Sequence, residues 1–377
     1  MQDIEETTAV GGPAEAAWDS LANSLGRWMS ASGYTRKSAS RARAALRALA
    51  ASWVSFPSSG FRGMASMDGF DAAVGTLPEW QRKDARLLPR LLGFLEDDRA
   101  ALSAEAAFLF YHVNPGASAF GFGAERAGGQ PVGAGLVSAK ARKGYVDFHG
   151  DNSVDDDPIA PFDLLIADLP YTVFPETDPE LAHVIKVAAH HARRAKAVLF
   201  RVDWSAADRM GFGPAAWEKA VAAALPGWEA RSVVLHNQHF VPMEGAELFV
   251  AAAKSWEGDF RPVLADIEPI DPSSVLSDAP HTGWASVPGG ITGRRFPKER
   301  AGRIDPHYPH APAAAVVGSG TDARMLFPLE IMALLGIPER YPVPRDRFDA
   351  YHLLGESVAV PVAERAVRGL LRALGMV

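Results

Sequence analysis

The sequence predicts a doubly wound α/β fold with a mostly parallel sheet, preceded by a helical N-terminal region. Short apolar runs alternate with helical stretches from about residue 101 to 254, as in a parallel sheet covered on both faces. From 14 to 100 the apolar residues recur at helical spacing instead. We therefore divide the chain into a disordered tail (1–13), a helical region (14–100), an α/β core (101–254 and 324–377) and a loop-rich insertion (255–323).

The composition is that of an ordinary globular protein, with 48% hydrophobic and 22% charged residues. No apolar run reaches the ~18 residues that span a bilayer. The N-terminus MQDIEETTAVGG lacks the pattern of a signal peptide. We therefore expect a cytoplasmic protein with no membrane association. The chain has no cysteine, which excludes disulfides, thiolate metal sites and a cysteine nucleophile.

The helical region carries an uneven charge. Its first helix has an apolar stripe that includes Trp18 and Trp28, the pattern breaks at Ser32-Gly33-Tyr34, and helix resumes from about 38 to 51 and from 68 to 100. No acidic residue lies between Asp19 and Asp68, an interval with seven basic ones: Arg27, Arg36, Lys37, Arg41, Arg43, Arg47 and Arg62. This is either a solvated helix face or a surface for phosphates, although a net charge of −7 argues against general coating by nucleic acid. We predict that 14–100 docks a protein partner, a second copy of the chain or DNA.

Six apolar runs predict the strands of the core: 106–113, 130–137, 163–170, 195–202, 228–236 and 246–254. Helices are predicted between them, for example at 178–194 and 214–225. After residue 324 the pattern predicts a helix to about 337, a loop, and a final helix from about 359. Because open parallel sheets bind ligands beyond the carboxyl ends of their strands, the loops after Val113, Ile166 and Val202 are the expected site.

Two C-terminal blocks resemble motifs of the cytosine-5 DNA methyltransferase family. The first, resembling R-x-L-x-P-x-E…L-x-G-F-P, comprises Arg324, Leu326, Pro328, Glu330, Leu334, Gly336, Ile337 and Pro338. The second runs from Tyr351 to Val358 and on to Pro361-Val362-Ala363, and resembles Y-x-x-x-G-N-S/A-V…P-V-A. More loosely, Gly116, Phe120, Gly123, Glu125, Ala127 and Gly128 resemble the family's first glycine-rich loop. The resemblance covers about 105–377, and it implies the Rossmann-like fold of S-adenosylmethionine-dependent methyltransferases, with DNA as substrate.

The catalytic positions depart from that family. Where it has the cysteine of a P-C-Q loop, this chain has Pro170-Tyr171-Thr172, and a phenol of pKa ~10 cannot replace a thiolate nucleophile. The family's E-N-V corresponds to the stretch Phe200-Arg201-Val202-Asp203, which contains no glutamate. Its Q-x-R-x-R corresponds to 243–247, which contains no arginine and ends in Glu247. The resemblance therefore predicts a chain that is inactive in cytosine-5 transfer.

The cofactor positions depart as well, so we expect S-adenosylmethionine binding to be weakened or lost. Gly135 stands where the family has the acid that binds the ribose, and Ala117-Ser118-Ala119 replaces A-G-G, which adds Cβ atoms where backbone must approach a ligand. The candidate cofactor residues are Asn114, Gly116, Ser118, Phe120, Gly123, Asp151, Asp168, Glu356 and Ser357. In one interpretation an acidic residue of this region faces the adenine, and the candidates are Asp151, Asp155, Asp156 and Asp157. In the other, this acidic run is a solvated loop.

Three functions stay open. The first is a noncatalytic DNA- or partner-binding subunit of a DNA modification or defence system, such as restriction-modification. The second is an amino-methyltransferase, because Asp168-Leu169-Pro170-Tyr171 resembles the D-P-P-Y loop of enzymes acting on adenine N6 or cytosine N4. Asp168, Pro170 and Tyr171 would then be catalytic. The third is an unrelated activity on the same scaffold. No metal is predicted, since His190-His191 and His307…His310 lack a matching acid.

The insertion 255–323 stands where the family has its target-recognition domain. Its basic stretch contains Arg294, Arg295, Lys298, Arg300 and Arg303, with aromatic residues nearby. We expect these side chains to contact nucleic acid if DNA is bound. The alternative is a flexible surface loop.

Overall fold

The computed structural model describes residues 13–52, 64, 69–156, 158, 161–169, 179–204, 213–241, 246–268, 316–317, 324–325 and 328–377. These residues form two compact units. One contains the residues up to Ser103 together with Leu264–Ile267, and the other contains Ala104–Val263 and the residues from Glu268 onward.

The first unit is helical, as the sequence predicts. Its helices are α1 (Pro13–Ala31), α2 (Arg36–Ser52), α3 (Phe70–Thr76) and α4 (Glu79–Ser103). Its core is built from the apolar stripes, with Leu25, Leu46, Leu49, Leu88 and Leu92 fully buried. The break between α1 and α2 falls at Gly33, which has a left-handed φ of 81°.

A buried carboxylate joins the distant segment 264–267 to this helical unit. Oδ2 of Asp98 accepts a hydrogen bond from Nε1 of Trp28 at 2.9 Å and another from the backbone N–H of Leu264 at 2.8 Å. Arg99 and Asp266 add an ion pair at 2.9 Å. Burying Asp98 is tolerated because its charge is hydrogen-bonded from two sides.

The second unit is an α/β layer structure with a six-stranded sheet in the order β2-β1-β3-β4-β6-β5. Its elements are β1 (Phe108–Val113), α5 (Ala119–Arg126), β2 (Gly129–Gly135), α6 (Ala139–His149), β3 (Leu164–Asp168), α7 (Pro179–Ala192), β4 (Ala197–Asp203), α8 (Pro214–Ala224), β5 (Glu229–His236), β6 (Ala246–Ala253), a two-stranded pair β7 (Val316–Val317) and β8 (Arg324–Met325), α9 (Pro328–Leu335), α10 (Arg347–Gly355) and α11 (Val360–Ala373).

The sheet is mostly parallel, as predicted. β1 pairs in parallel with β2 and β3, and β3 with β4, whereas β6 runs antiparallel to both β4 and β5. β4 is buried along its whole length and β3 up to its last residue, and both contain an apolar run in the sequence, Leu164–Ala167 and Ala197–Phe200. The carboxyl ends of β1, β2, β3 and β4 therefore meet at one edge.

The prediction of a loop between the last two predicted helices was wrong, because α10 forms there. Its side chains do not show a clear amphipathic pattern. The helix is started by Asp346, whose side chain accepts a hydrogen bond from the N–H of Asp349 at 2.9 Å. Burial of Tyr351 and Leu354 then stabilises it.

The C-terminal helix α11 packs directly on α5. Gly123 makes this close approach feasible, because a Cβ at that position would lie 2.4 Å from Cβ of Ala363. The contact holds α5, and with it the loop after β1, against the end of the chain.

Candidate functional site

Asn114 joins the carboxyl ends of three strands at the edge where the sequence predicts the site. It follows β1 and has a left-handed φ of 56°, a conformation that asparagine tolerates better than most residues. Its Nδ2 donates to the carbonyl oxygen of Asp168 at 2.8 Å. Its backbone N–H donates to the carbonyl of Gly135 at 2.9 Å. The ends of β1, β2 and β3 are thereby held in a fixed arrangement.

Asp168, the last residue of β3, has two differently placed carboxylate oxygens. Oδ2 lies 3.2 Å from Nε2 of the fully buried His112. Oδ1 is buried and has no hydrogen-bond partner among the described residues, and its nearest ionic neighbour is NH1 of Arg201 at 3.9 Å. One oxygen is thus oriented by histidine, while the other is left able to accept a hydrogen bond.

Arg201 and Glu247 form a buried ion pair next to Asp168. Nε of Arg201 donates to Oε2 of Glu247 at 2.8 Å, and the two residues are 3% and 2% exposed. NH1 of Arg201 also donates to the backbone carbonyl of Glu356 at 2.6 Å, and Asn237 donates to the other oxygen of Glu247 at 3.3 Å. Each charge is therefore matched by hydrogen bonds, which a desolvated pair requires.

The pKa values agree with a charged guanidinium at this position. Burial disfavours the charge on Arg201, but the carboxylates of Glu247 and Asp168 outweigh burial and raise its pKa. Burial also raises the pKa of Glu247, to about 7, against the opposing influence of Arg201. The guanidinium therefore stays protonated throughout the physiological range.

The two members of this ion pair lie in two stretches that the resemblance treats as separate losses. Arg201 lies within Phe200–Asp203, the stretch that the resemblance aligns with E-N-V, and Glu247 is the last residue of 243–247, which it aligns with Q-x-R-x-R. The two residues pair across adjacent strands β4 and β6.

The loop after β1 has three left-handed residues, among them Gly116 (φ 51°) and Ser118 (φ 59°). Among the described residues, no atom lies within 4 Å of the point that a Cβ on Gly116 would occupy, so these residues leave this side of the loop open. The hydroxyl of Ser118 is buried and lies 3.3 Å from Nε2 of His149. Burial, with a contribution from His112, lowers the pKa of His149 to about 4.

Two other candidate cofactor residues serve packing in this structure. Phe120 is fully buried, with its ring edge-on to His112 and Phe249 at centroid distances of 5.9 and 5.8 Å. Gly123 faces Ala363 of α11. Phe120 and Gly123 therefore pack against neighbouring elements of the α/β unit.

The end of β2 carries a carboxylate, although not from β2 itself. A Cβ on Gly135 would lie 2.2 Å from Oη of Tyr111, whose hydroxyl donates to the carbonyl of Asp155 at 2.6 Å. Oδ1 of Asp156 accepts a hydrogen bond from the N–H of Leu136 at 3.0 Å, and it lies 3.4 Å from the same Cβ point. Asp156 thus brings an acid beside the place that Gly135 leaves without one.

Three further residues that the sequence suggests for cofactor binding lie in the described part of the chain: Asp151, Glu356 and Ser357. Asp151 is exposed and begins a short 3-10 turn, Asp151–Ser153, after α6. Glu356 ends α10 and is bound through its carbonyl to Arg201, with its carboxylate 3.5 Å from Nδ1 of His352. The hydroxyl of Ser357 donates to the carbonyl of Leu353 at 2.9 Å and is therefore used within its own helix end.

Several predicted site residues lie outside the described residues. They are Pro170, Tyr171, Asp157, Arg294, Arg295, Lys298, Arg300 and Arg303, together with His307 and His310. Across the part of the chain that is described, no group of three or more His, Cys, Asp or Glu side chains is arranged to hold a metal ion. His191 is buried and packs on Tyr111 with a centroid distance of 5.2 Å. The absence of a metal stays a prediction.

Comparison with known proteins gives one family and a set of similar structures. The family model described as C-5 cytosine-specific DNA methylase matches residues 286–372. A candidate DNA modification methyltransferase encoded within an E. coli prophage is similar in structure, with a TM-score of 0.51, 14% identity, and 71% of this chain and 100% of that chain covered. No curated protein matches the chain.

Two further similar structures have lower TM-scores. A mutant of Spodoptera frugiperda DNMT2 has a TM-score of 0.46 and 14% identity, covering 70% of this chain and 100% of that chain. Entamoeba histolytica EhMeth has a TM-score of 0.48 and 12% identity, covering 71% and 99%.

The fold of the second unit is that of the S-adenosylmethionine-dependent methyltransferases. Within that class the chain resembles the C-5 cytosine methyltransferases, so the resemblance predicted from the C-terminal motifs is confirmed. Among the described helices, none has the length and apolar character needed to cross a membrane.

Proposed function

We propose that this chain is a noncatalytic, methyltransferase-like subunit that binds DNA or a protein partner in a DNA modification or defence system. The observation that carries the proposal is the ion pair between Arg201 and Glu247. Where the family's motif has a proton-donating glutamate, this chain has a guanidinium that is committed to two acceptors. A guanidinium does not give up its proton near neutral pH, so it cannot protonate a base.

The missing nucleophile supports the same proposal. Addition to C6 of cytosine needs a thiolate in this family, and the chain contains no cysteine. A Tyr171→Cys substitution should not restore cytosine-5 transfer, because Arg201 and Glu247 would still occupy the positions of the proton donor and the arginine.

The residues around the loop fit S-adenosylmethionine in part, and we propose that its binding is weakened or lost. The open side of Gly116 and the carboxylate of Asp156 are the features that would hold the cofactor, which supplies a methyl group when bound. Asp156 already accepts a hydrogen bond from Leu136, so it has less capacity to bind ribose hydroxyls than a carboxylate projecting from β2.

A methylation assay tests this proposal. The purified chain is incubated with duplex DNA and labelled S-adenosylmethionine, and the nucleosides are separated afterwards. We expect no 5-methylcytosine from the natural chain or from Tyr171→Cys. Formation of 5-methylcytosine by the natural chain would refute the proposal. Loss of complex formation in a variant lacking 14–100, with the remaining α/β unit folded by circular dichroism, would support the subunit role.

A second candidate function, amino-methyl transfer, is favoured by Oδ1 of Asp168, which accepts no hydrogen bond from any described residue. A carboxylate oxygen at the end of β3 is suited to accept a hydrogen bond from the exocyclic amine of adenine or cytosine. His112 would hold the other oxygen in place. This function predicts micromolar binding of S-adenosylmethionine that is lost in Asp168→Ala and in Gly116→Val. Isothermal titration calorimetry without heat on a folded sample would eliminate it.

A further inference from the structure

The helical unit has a groove of about 280 Å³ between α1, α2 and α4. Its floor is apolar and includes the buried residues Met29, Ala42 and Leu91. Tyr34 and Leu87 form its walls, and these large side chains are 41% and 48% exposed. A cavity with an apolar floor and exposed apolar walls is suited to receive an apolar side chain of another molecule.

The apolar surface continues along α4. Trp80 is 58% exposed and stands seven positions before Leu87, which places both residues on the same stripe of the helix. Among the described residues, five large hydrophobic side chains are exposed, and three of them are Tyr34, Trp80 and Leu87. This concentration marks the groove and the adjacent stripe of α4 as a contact surface.

The groove is surrounded by positive charge. The segments 36–41 and 82–90, which border it, carry seven basic residues and one acidic residue, Asp84. That aspartate is already paired with Arg41 at 2.8 Å across the groove. The basic residues are Arg36, Lys37, Arg41, Arg82, Lys83, Arg86 and Arg90, and all of them are exposed.

Charge and shape together select one kind of occupant. A second copy of this face would bring two sets of cations together, so self-association through the groove is disfavoured. Duplex DNA would satisfy the cations, but it offers no apolar side chain to fill the cavity above Met29 and Leu91. An acidic amphipathic helix offers both, with carboxylates for the rim and an apolar face for the groove.

We propose that this groove docks an acidic amphipathic helix of a protein partner, with an apolar anchor residue between Tyr34 and Leu87. The inference rests on the part of the proposed function that gives the helical unit a partner. It does not depend on whether the α/β unit binds S-adenosylmethionine.

A displayed library of random peptides of about 16 residues, roughly four helical turns, provides the test, with the full chain as target. We expect the selected peptides to be rich in Asp and Glu and to carry apolar residues at helical spacing. Their affinity should fall at least about 10-fold for Leu87→Glu and for the double variant Lys83→Glu with Arg90→Glu. The matched controls Leu329→Glu and Arg193→Glu, at exposed positions of the other unit, should leave the affinity unchanged.

Three results would overturn the inference. The selected peptides could be basic or neutral, or could bind Leu87→Glu as well as the natural chain. A mixed-sequence duplex DNA could bind the chain and lose affinity in Leu87→Glu, which would make the groove a nucleic-acid surface. Sedimentation could show a dimer that Leu87→Glu dissociates. Each of these results leaves the methylation and cofactor experiments unaffected, so failure here is distinguishable from failure of the proposed function.

Discussion

Arg201 of β4 donates a hydrogen bond from Nε to Oε2 of Glu247 on the neighbouring strand β6, at 2.8 Å. The pair is nearly inaccessible to solvent, with Arg201 3% and Glu247 2% exposed. Its energetics can be measured directly, because either charge can be removed alone or both can be exchanged.

Removing one member of the pair should destabilise the protein strongly. Arg201→Met leaves Glu247 buried without its cation, and breaking a buried pair in this way costs about 3–5 kcal/mol. The exchanged double variant, Arg201→Glu with Glu247→Arg, should recover part of the loss because the charges balance again. Urea denaturation of the natural chain, the two single variants Arg201→Glu and Glu247→Arg, and the double variant gives the coupling energy. Additive losses in the double variant would mean that the two side chains do not depend on each other.

Asn114 should be sensitive to the backbone conformation that a substitute can adopt. Asn114→Ala loses the hydrogen bond to the carbonyl of Asp168 and keeps a Cβ at a φ of 56°. Asn114→Gly loses the same hydrogen bond but tolerates the left-handed conformation. The alanine variant should therefore be less stable than the glycine variant by about 1 kcal/mol. Equal stability in thermal denaturation would show that the conformation of residue 114 is not strained.

Gly123 should not accept a methyl group. A Cβ there would lie 2.4 Å from Cβ of Ala363 and 2.8 Å from the backbone N of Glu364, so α11 would have to move away from α5. Gly123→Ala should cost about 1–3 kcal/mol through overpacking. Gly213→Ala is the control, because no atom of the described part of the chain lies within 4 Å of its Cβ point. Comparable denaturation midpoints for the two variants would contradict the close packing of α5 and α11.

Position 135, at the end of β2, should accept an acidic side chain only when the hydroxyl of Tyr111 is removed. Gly135→Asp alone places Cβ 2.2 Å from Oη of Tyr111 and should destabilise the protein. Combining it with Tyr111→Phe removes that oxygen and should restore part of the stability. Melting temperatures of the single and double variants provide the measurement. If Gly135→Asp alone melted like the natural chain, the hydroxyl of Tyr111 would not be what excludes a side chain at 135.

Because of His149, the free energy of unfolding should decrease as the pH is lowered. Burial and the neighbouring His112 lower the pKa of His149 from 6.5 to about 4, so the folded state binds fewer protons than the unfolded state between these values. The stability that this group contributes is fully present above pH 6.5, and it is lost as pH falls towards 4. His149→Phe, which keeps the ring packed on Tyr145, should show a smaller decline over this interval. His190→Phe, at an exposed histidine, should decline like the natural chain.

Much of the fold could be predicted from sequence because its determinants are local. Leu164–Ala167 and Ala197–Phe200 are apolar runs within buried strands, and their alternation with helices predicted the parallel sheet. The break at Gly33 and the stripe containing Trp28 similarly marked the first helices. The sequence pattern did not predict α10, because the start of this helix depends on the cap formed by Asp346. Its stability depends on burial of Tyr351 and Leu354 among residues that are distant in sequence.

The candidate site was predicted in location but not in arrangement. The sequence by itself determined that no cysteine is present, and it predicted that the ends of β1, β3 and β4 would meet. Only the tertiary structure decided that Arg201 and Glu247 neutralise each other, and that the carboxylate of Asp156 lies beside Gly135. The first pair is separated by 46 residues and the contact of Asp156 with Leu136 by 20, so each depends on strand register and loop path that no local pattern encodes.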